Sequence, residues 1–240
     1  MVDLIELSDL ANALDARSGE LISLVGGGGK TTSLFALGQQ LVGTTVLTTT
    51  TKMGAEQSSD YPALIDPSDD QLRARLHNSR RALVWKAADD RRAIGVSALT
   101  CDRWFAIADN VVVEADGSRK RPFKAPADHE PVIPSTTTLL VACVGASAFG
   151  RPIAESCHRP ALVAALADCS VNDVLTPARA ATVLVSESGS QKSKPPAARF
   201  TVALHRVSET DAALPDALSE ALAGRAELVA VRELIDLAGR

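Results

Sequence analysis

The run Leu21-Ile22-Ser23-Leu24-Val25 passes directly into four consecutive glycines and then Lys30-Thr31-Thr32. An apolar run of this length, closed by glycines, reads as a buried strand. From Thr31 to about Leu41 the spacing is helical, so the glycines form the turn between a strand and a helix. Glycines let a backbone curl until successive N–H groups point inward, where they can cradle phosphate oxygens. The helix that follows aims its positive end at the same anion. In such a loop Lys30 reaches the β- and γ-phosphates and the Thr31 hydroxyl ligates Mg²⁺. The expected cradle is therefore Gly26, Gly27, Gly28, Gly29, Lys30, Thr31 and Thr32. The longer G-x-x-x-x-G-K-[ST] spacing would need a glycine where Leu24 stands, so this is a shortened form, G-x-x-G-K-T from Gly26. Val25 stands where the KGGxGKT subgroup carries a further lysine. A glycine turn with an incidental Lys-Thr is the bland alternative, and its place between strand and helix argues against it.

The rest of the 240 residues alternates short apolar runs with helical segments. A second strand is expected at Thr45-Val46-Leu47-Thr48, with others over residues 82–85, 111–114, 139–144, 200–204 and 227–231. Helices are expected over 69–78, 98–108, 160–167, 177–185 and 216–223, and Thr176-Pro177 makes a good cap and first-turn pair. Leu4, Leu7, Leu10, Ala11 and Leu14 recur at helical spacing and predict an amphipathic opening helix. Strands apolar along their whole length and separated by helices imply a mostly parallel sheet covered on both faces, a three-layer α/β/α fold. One domain over residues 1–240 is expected, and the Ser/Pro/Lys-rich stretch 186–198 reads as a flexible loop inside it.

Composition excludes several classes. Hydrophobic residues are 46% and charged residues 22%, enough for a core and too apolar for wholesale disorder. A formal charge of -4 supplies no basic field for nucleic acid, and 3% aromatics supply few stacking platforms. The cysteines at 101, 143, 157 and 169 show no CxxC spacing, so neither a zinc site nor a disulfide framework is expected. The chain shows no secretory pattern near its first residue and no run of 18 apolar residues. A cytoplasmic, membrane-free setting is expected.

Three further segments could complete a phosphate site. The second strand ends in Thr48-Thr49-Thr50-Thr51-Lys52, and in a parallel sheet ligands bind at the carboxyl ends of strands. Thr50 and Thr51 could hold phosphate oxygens, Mg²⁺ or a water, with Lys52 adding charge. Plain β-propensity is the other explanation of a threonine row. Val111-Val112-Val113 ends in Glu114-Ala115-Asp116-Gly117, and Glu114 and Asp116 share one side of an extended chain. One of them could hold Mg²⁺ while the other orients or deprotonates a nucleophile; the residues alone do not divide the roles. Arg119, Lys120, Arg121 and Lys124 follow and could clamp an anion, although a solvated loop accounts for any one of them. His129 and His158 lie in Pro-rich loops that favour structural roles, and His77 and His205 lack the neighbours of a metal site.

VGGGGKTT, TTTTKM, VVVEADGSRKRPFKAPADHEPVIP and CHRP occur together and in this order, and the chain thereby resembles the YqeC family over roughly residues 20 to 205. The resemblance implies a P-loop NTPase fold and a role as an accessory factor of selenium-dependent molybdenum hydroxylases, or in making their selenium cofactor. The implied partners are a nucleoside triphosphate, a molybdopterin cofactor or the hydroxylase itself. One departure stands out. Where family members tend to carry an Asn-Lys-x-Asp-like stretch that would read guanine, this chain has His205-Arg206-Val207-Ser208, which leaves ATP and GTP equally open. Three activities fit: Mg²⁺-dependent hydrolysis with Lys30, Glu114, Asp116 and Lys52 in the machinery and Arg119 on the phosphates; phosphoryl transfer to a small anionic acceptor, as in a kinase or ligase; or a switch that binds nucleotide without turnover.

Overall fold

The structure is a computed structural model that describes residues 1–54, 62–89 and 91–232. Its strands are β1 (Leu4–Ile5), β2 (Leu21–Gly26), β3 (Thr45–Thr49), β4 (Lys52–Gly54), β5 (Leu64–Ile65), β6 (Arg81–Trp85), β7 (Ala87–Ala88) and β8 (Arg92–Ile94). Then follow β9 (Asn110–Glu114), β10 (Phe123–Lys124), β11 (Leu139–Gly145), β12 (Cys157–His158), β13 (Arg199–Val207) and β14 (Glu227–Arg232). The helices are α1 (Leu10–Ala13), α2 (Lys30–Gln40), α3 (Asp69–Ser79), α4 (Ala98–Phe105), α5 (Ile153–Ser156), α6 (Pro160–Leu166), α7 (Pro177–Val185) and α8 (Leu214–Leu222).

Nine strands form one sheet in the order β1-β14-β13-β11-β2-β9-β3-β6-β5, and every pairing within it is parallel. The pattern of whole-length apolar strands anticipated this, because both faces of the sheet are covered. Side chains alternate between the faces. Ile22, Leu24, Val112, Val141 and Ala203 pack on one side with Leu10, Leu14, Leu34 and Leu37 from α1 and α2. On the other side Leu21, Val111 and Val113 meet Leu72, Cys101 and Trp104 from α3 and α4. Further along that face Leu140, Ala142 and Val202 meet Val163, Val183 and Leu218 from α6, α7 and α8. The result is three layers, α/β/α.

The chain leaves β2 through α2 to β3, skipping the slot that β9 later fills, and β11 then takes the opposite flank of β2. This reversal opens a crevice at the carboxyl ends of β2, β9 and β11, where open α/β sheets bind ligands. The glycine loop sits at that point. Two small sheets lie apart from the main one, parallel β10-β12 and antiparallel β4-β8-β7.

The N-terminal segment departs from the sequence expectation. Instead of one amphipathic helix it forms the edge strand β1, a 3-10 turn at Leu7–Asp9 and the single turn α1. Backbone pairing of Leu4 and Ile5 with Ala230 and Val231 overrides their helical spacing. The expected helix at 98–108 also stops early, at Phe105, because the chain turns to enter β9. The loop at 186–198 is a series of turns in which the Lys192 ammonium donates to the Ala127 carbonyl at 2.7 Å and Lys194 to that of Ala198 at 2.9 Å.

Opposite the glycine loop, the amino ends of β2 and β9 are joined by buried Asn110. Its Oδ1 accepts from the amides of Gly19 and Glu20, and its Nδ2 donates to the Val42 carbonyl at 2.8 Å. Asn110→Ala leaves these groups without partners and should lower stability by about 2–3 kcal/mol, read from urea unfolding.

Candidate functional site

The glycine loop is held by contact on every side. A Cβ at Gly26 would lie 2.4 Å from the Cys143 carbonyl oxygen, and one at Gly27 2.5 Å from that of Arg121. At Gly28 it would meet the Gly145 amide at 2.8 Å, and at Gly29 the His205 ring at 2.4 Å. Gly26, Gly28 and Gly29 also have φ of 95°, 76° and 95°, which L side chains rarely adopt. Both demands, space and handedness, account for four glycines in a row.

Lys30 opens α2 and is only 4% exposed. Its ammonium donates to the Gly26 carbonyl at 2.5 Å and lies 3.3 Å from Asp116 Oδ1, an ion pair without hydrogen-bond alignment. Burial alone would lower its pKa, but the charges of Asp116 and Glu114 outweigh that and raise it. Thr31 Oγ donates to Glu114 Oε2 at 2.8 Å. Burial pushes the Glu114 carboxyl up, against the opposing effects of the Lys30 charge and the Thr31 bond. Glu114 ends β9 and Asp116 lies two residues beyond it, and their surroundings differ. Glu114 faces Thr31, whereas Asp116 Oδ2 accepts from the Gly26 amide at 3.1 Å and pairs with Lys124 at 3.0 Å.

A hydroxyl and a carboxylate are hard oxygen donors, and Mg²⁺ commonly takes one or two carboxylates with the remainder from phosphates and water. Thr31 and Glu114 fit that pattern. Among the described residues no cluster of three or more His, Cys, Asp or Glu side chains could hold a metal alone, so phosphates and water would have to complete the shell.

The other expected residues divide. Thr49 Oγ donates to the Glu114 carbonyl at 2.8 Å, and the Thr50 amide reaches the same oxygen at 3.1 Å. Thr50 Oγ donates to the Val132 carbonyl at 2.7 Å, and Thr48 Oγ to that of Val84 at 2.8 Å. These hydroxyls fasten strand ends beside the site. Thr51 is partly open and Thr32 exposed, and Lys52 is exposed at the start of β4, opposite Ile94 of β8. Arg119 is exposed on a left-handed turn with φ of 50°. Lys124, expected among the loop cations, is instead fully buried. It bridges Asp116 and Glu130, the latter at 2.5 Å, and Glu130 also pairs with Arg159. The Lys124 hydrogen bond and charge, with help from Arg159, outweigh burial and hold the Glu130 carboxyl below its usual range. Phe123 and Lys124 pair with Cys157 and His158, so the Cys-His-Arg-Pro segment joins the site through backbone and charge together.

His205 is buried under Gly29, with its Nε2 3.0 Å from Ser33 Oγ. Burial, then the Arg206 charge, brings its pKa down to about 4. Sequence reasoning found no use for His205. In the structure it lies within β13, level with Gly145.

A parallel three-layer protein with a glycine loop at its topological switch, and a threonine–carboxylate pair at the mouth, is the class that fold and site define. The family model described as YqeC protein matches residues 22–161, and the chain belongs to that family. It is 29% identical over 208 residues to the Escherichia coli (strain K12) protein described as "Uncharacterized protein YqeC", covering 81% of this chain and 78% of the relative. No solved structure matches. No helix among the described residues is long and apolar enough to cross a membrane.

Two outcomes follow from this geometry. Lys124→Ala leaves Asp116 and Glu130 buried without their shared cation and should cost about 3–5 kcal/mol of stability in urea unfolding. His205 stays neutral when folded but charges near pH 6.5 when unfolded, so protons favour the unfolded chain between these values. Its contribution is present above pH 6.5 and lost as pH falls toward 4, about 3 kcal/mol in all. Unfolding free energies of the wild type and His205→Gln across this range should differ in slope by that one proton.

Proposed function

We propose that this chain is a Mg²⁺-dependent nucleotide-binding protein that hydrolyses ATP or GTP. The observation that carries the reading is the 2.8 Å bond from Thr31 to Glu114 at the mouth of the glycine loop, with Lys30 beside both. Gly26 to Gly29 and the amino end of α2 supply amide donors for phosphate oxygens. Lys30 would exchange its Gly26 and Asp116 partners for a phosphate, whose charge replaces theirs. Thr31 and Glu114 would hold Mg²⁺, Glu114 directly or through water. When bound, the metal neutralises charge on the β- and γ-phosphates. Asp116 then acts by position, keeping Lys30 and the Gly26 amide in place. Thr50, whose amide reaches the Glu114 carbonyl, and Thr51 would help to orient a water, while the exposed Lys52 and Arg119 would meet the phosphates from outside. ATP hydrolysis by such a site could drive a cofactor or client step, and the family resemblance points to maturation of a selenium-dependent molybdenum hydroxylase. That part rests on the resemblance alone. A kinase-like transfer remains the second reading, favoured by the exposed cations Arg119, Lys120 and Arg121 beside the loop, and acceptor-dependent ADP release would identify it. A switch would bind nucleotide tightly without turnover.

The test is Mg²⁺-dependent binding and phosphate release with ATP and GTP. Lys30→Ala should lower turnover by about 100-fold or more while the protein stays folded. Unchanged affinity and turnover in Lys30→Ala would refute the reading. Metal and proton compete for Glu114, whose carboxyl pKa is raised, so Mg²⁺-dependent binding should weaken as pH falls, and Glu114→Gln should remove that dependence.

A further inference from the structure

The His205 ring lies directly against the glycine loop, where a Cβ on Gly29 would come within 2.4 Å of it. The same ring meets Ser33, four residues on, whose Oγ is 3.0 Å from Nε2. Ser33 in turn donates its amide to the Gly29 carbonyl at 2.8 Å, closing the first turn of α2. Gly29 and Ser33 therefore rest on one imidazole, and Lys30 and Thr31 lie on the turn between them. That turn cannot shift without lifting Gly29 off the ring or breaking the Ser33 contact.

The end of β13 brings the ring there. Ala203 packs on the α2 side of the sheet, and strand alternation sends His205 to the same side. His205 keeps its register with Gly145 of β11, but the ladder with β14 slips between Leu204 and Val207. Arg206, at the slip, has φ of 59°, which is strained for a residue with a side chain. Irregularities of this kind are common beside functional sites, where they re-aim a side chain. Cys143 of β11 also reaches Ser33. Burial pushes its thiol up to about 12, against the Lys30 charge and the Ser33 hydrogen bond, so the thiol is neutral. Ser33 and His205 are both buried, and water does not compete for their contact.

We infer that His205 and Ser33 are positioning residues for the phosphate loop, fixing Gly29 to Thr31 in the arrangement that receives the phosphates. The inference rests on the function proposed above. Both side chains act on a bound phosphate through the backbone they hold. A contact kept in the free and the bound protein alters affinity through the free state. Without it the turn samples other positions, and the ligand must order it on binding. The loss should match one hydrogen bond, about five-fold in affinity.

Calorimetric titration of the full chain with Mg²⁺ and either ATP or inorganic tripolyphosphate tests this, well below the midpoint of each variant's thermal melt. Ser33→Ala, and His205→Leu, which fills the space without a nitrogen, should each weaken both ligands by about five-fold. The double variant should be no weaker than either single one, because both delete the same contact. His205→Gln, whose side-chain amide can still meet Ser33, should stay within about two-fold of the wild type. A purely structural role would lower melting temperatures and leave the affinities of the folded variants unchanged. That result, with binding still weakened by Lys30→Ala, overturns the inference and leaves the phosphate site standing. Equal losses in His205→Gln and His205→Leu overturn it as well. Should His205→Leu fail to fold, Ser33→Ala decides alone, by a five-fold loss or by none. Absence of binding by both ligands, or their indifference to Lys30→Ala, overturns the proposed function together with the inference.

Discussion

The Asp116 carboxylate is the anchor on which the loop region depends. It is 2% exposed, accepts from the Gly26 amide and lies between the ammonium groups of Lys30 and Lys124. Lys124 passes the alternation of charge to Glu130, and Glu130 to Arg159. Each buried charge in this row is compensated by its neighbours, and removing one member would strand the next in a poorly solvated interior. The row ties the end of β2, the exit of β9, and both strands of the β10-β12 pair into one body. Segments far apart in sequence thereby share one electrostatic constraint.

That constraint explains why two acids two residues apart have different surroundings. Glu114 ends β9 facing Thr31, within reach of a ligand at the loop mouth. Asp116, just beyond the strand, turns inward to the lysines. The loop is thereby held in place, with the Lys30 ammonium on the Gly26 carbonyl and beside Asp116. Close packing of all four glycines against Cys143, Arg121, Gly145 and His205 adds a steric frame to the electrostatic one. Preorganisation of this kind limits the reorganisation that binding would demand.

Much of the layered fold was legible because its signals are local. Whole-length apolar runs over Leu21 to Val25 and Val111 to Val113 point to strands buried on both faces, and Thr176 marks a helix start that the structure keeps. Leu4 and Ile5 show where this fails. Their spacing suits a helix, but a free sheet edge at β14 offers backbone partners that a short helix cannot match. The short strands β10 and β12 were also illegible, since a two-residue pair has no period, and their pairing and the Glu130–Arg159 contact join segments far apart in sequence.

In the candidate site, the sequence by itself determined the chemistry available: a strand, four glycines, Lys30 and Thr31 at a helix start, and two acids at a strand end. These follow from spacing along one chain, where geometry is set by neighbouring residues. Only the tertiary structure decided which partners those groups keep. It buried Lys124 and His205, set Glu114 against Thr31 and Asp116 against two lysines, and engaged Thr48, Thr49 and Thr50 at the end of β3 with backbone carbonyls. The reason is physical: desolvation and charge pairing depend on what surrounds a side chain in space, and those surroundings come from β11, β12 and β13, which lie far from the loop in sequence.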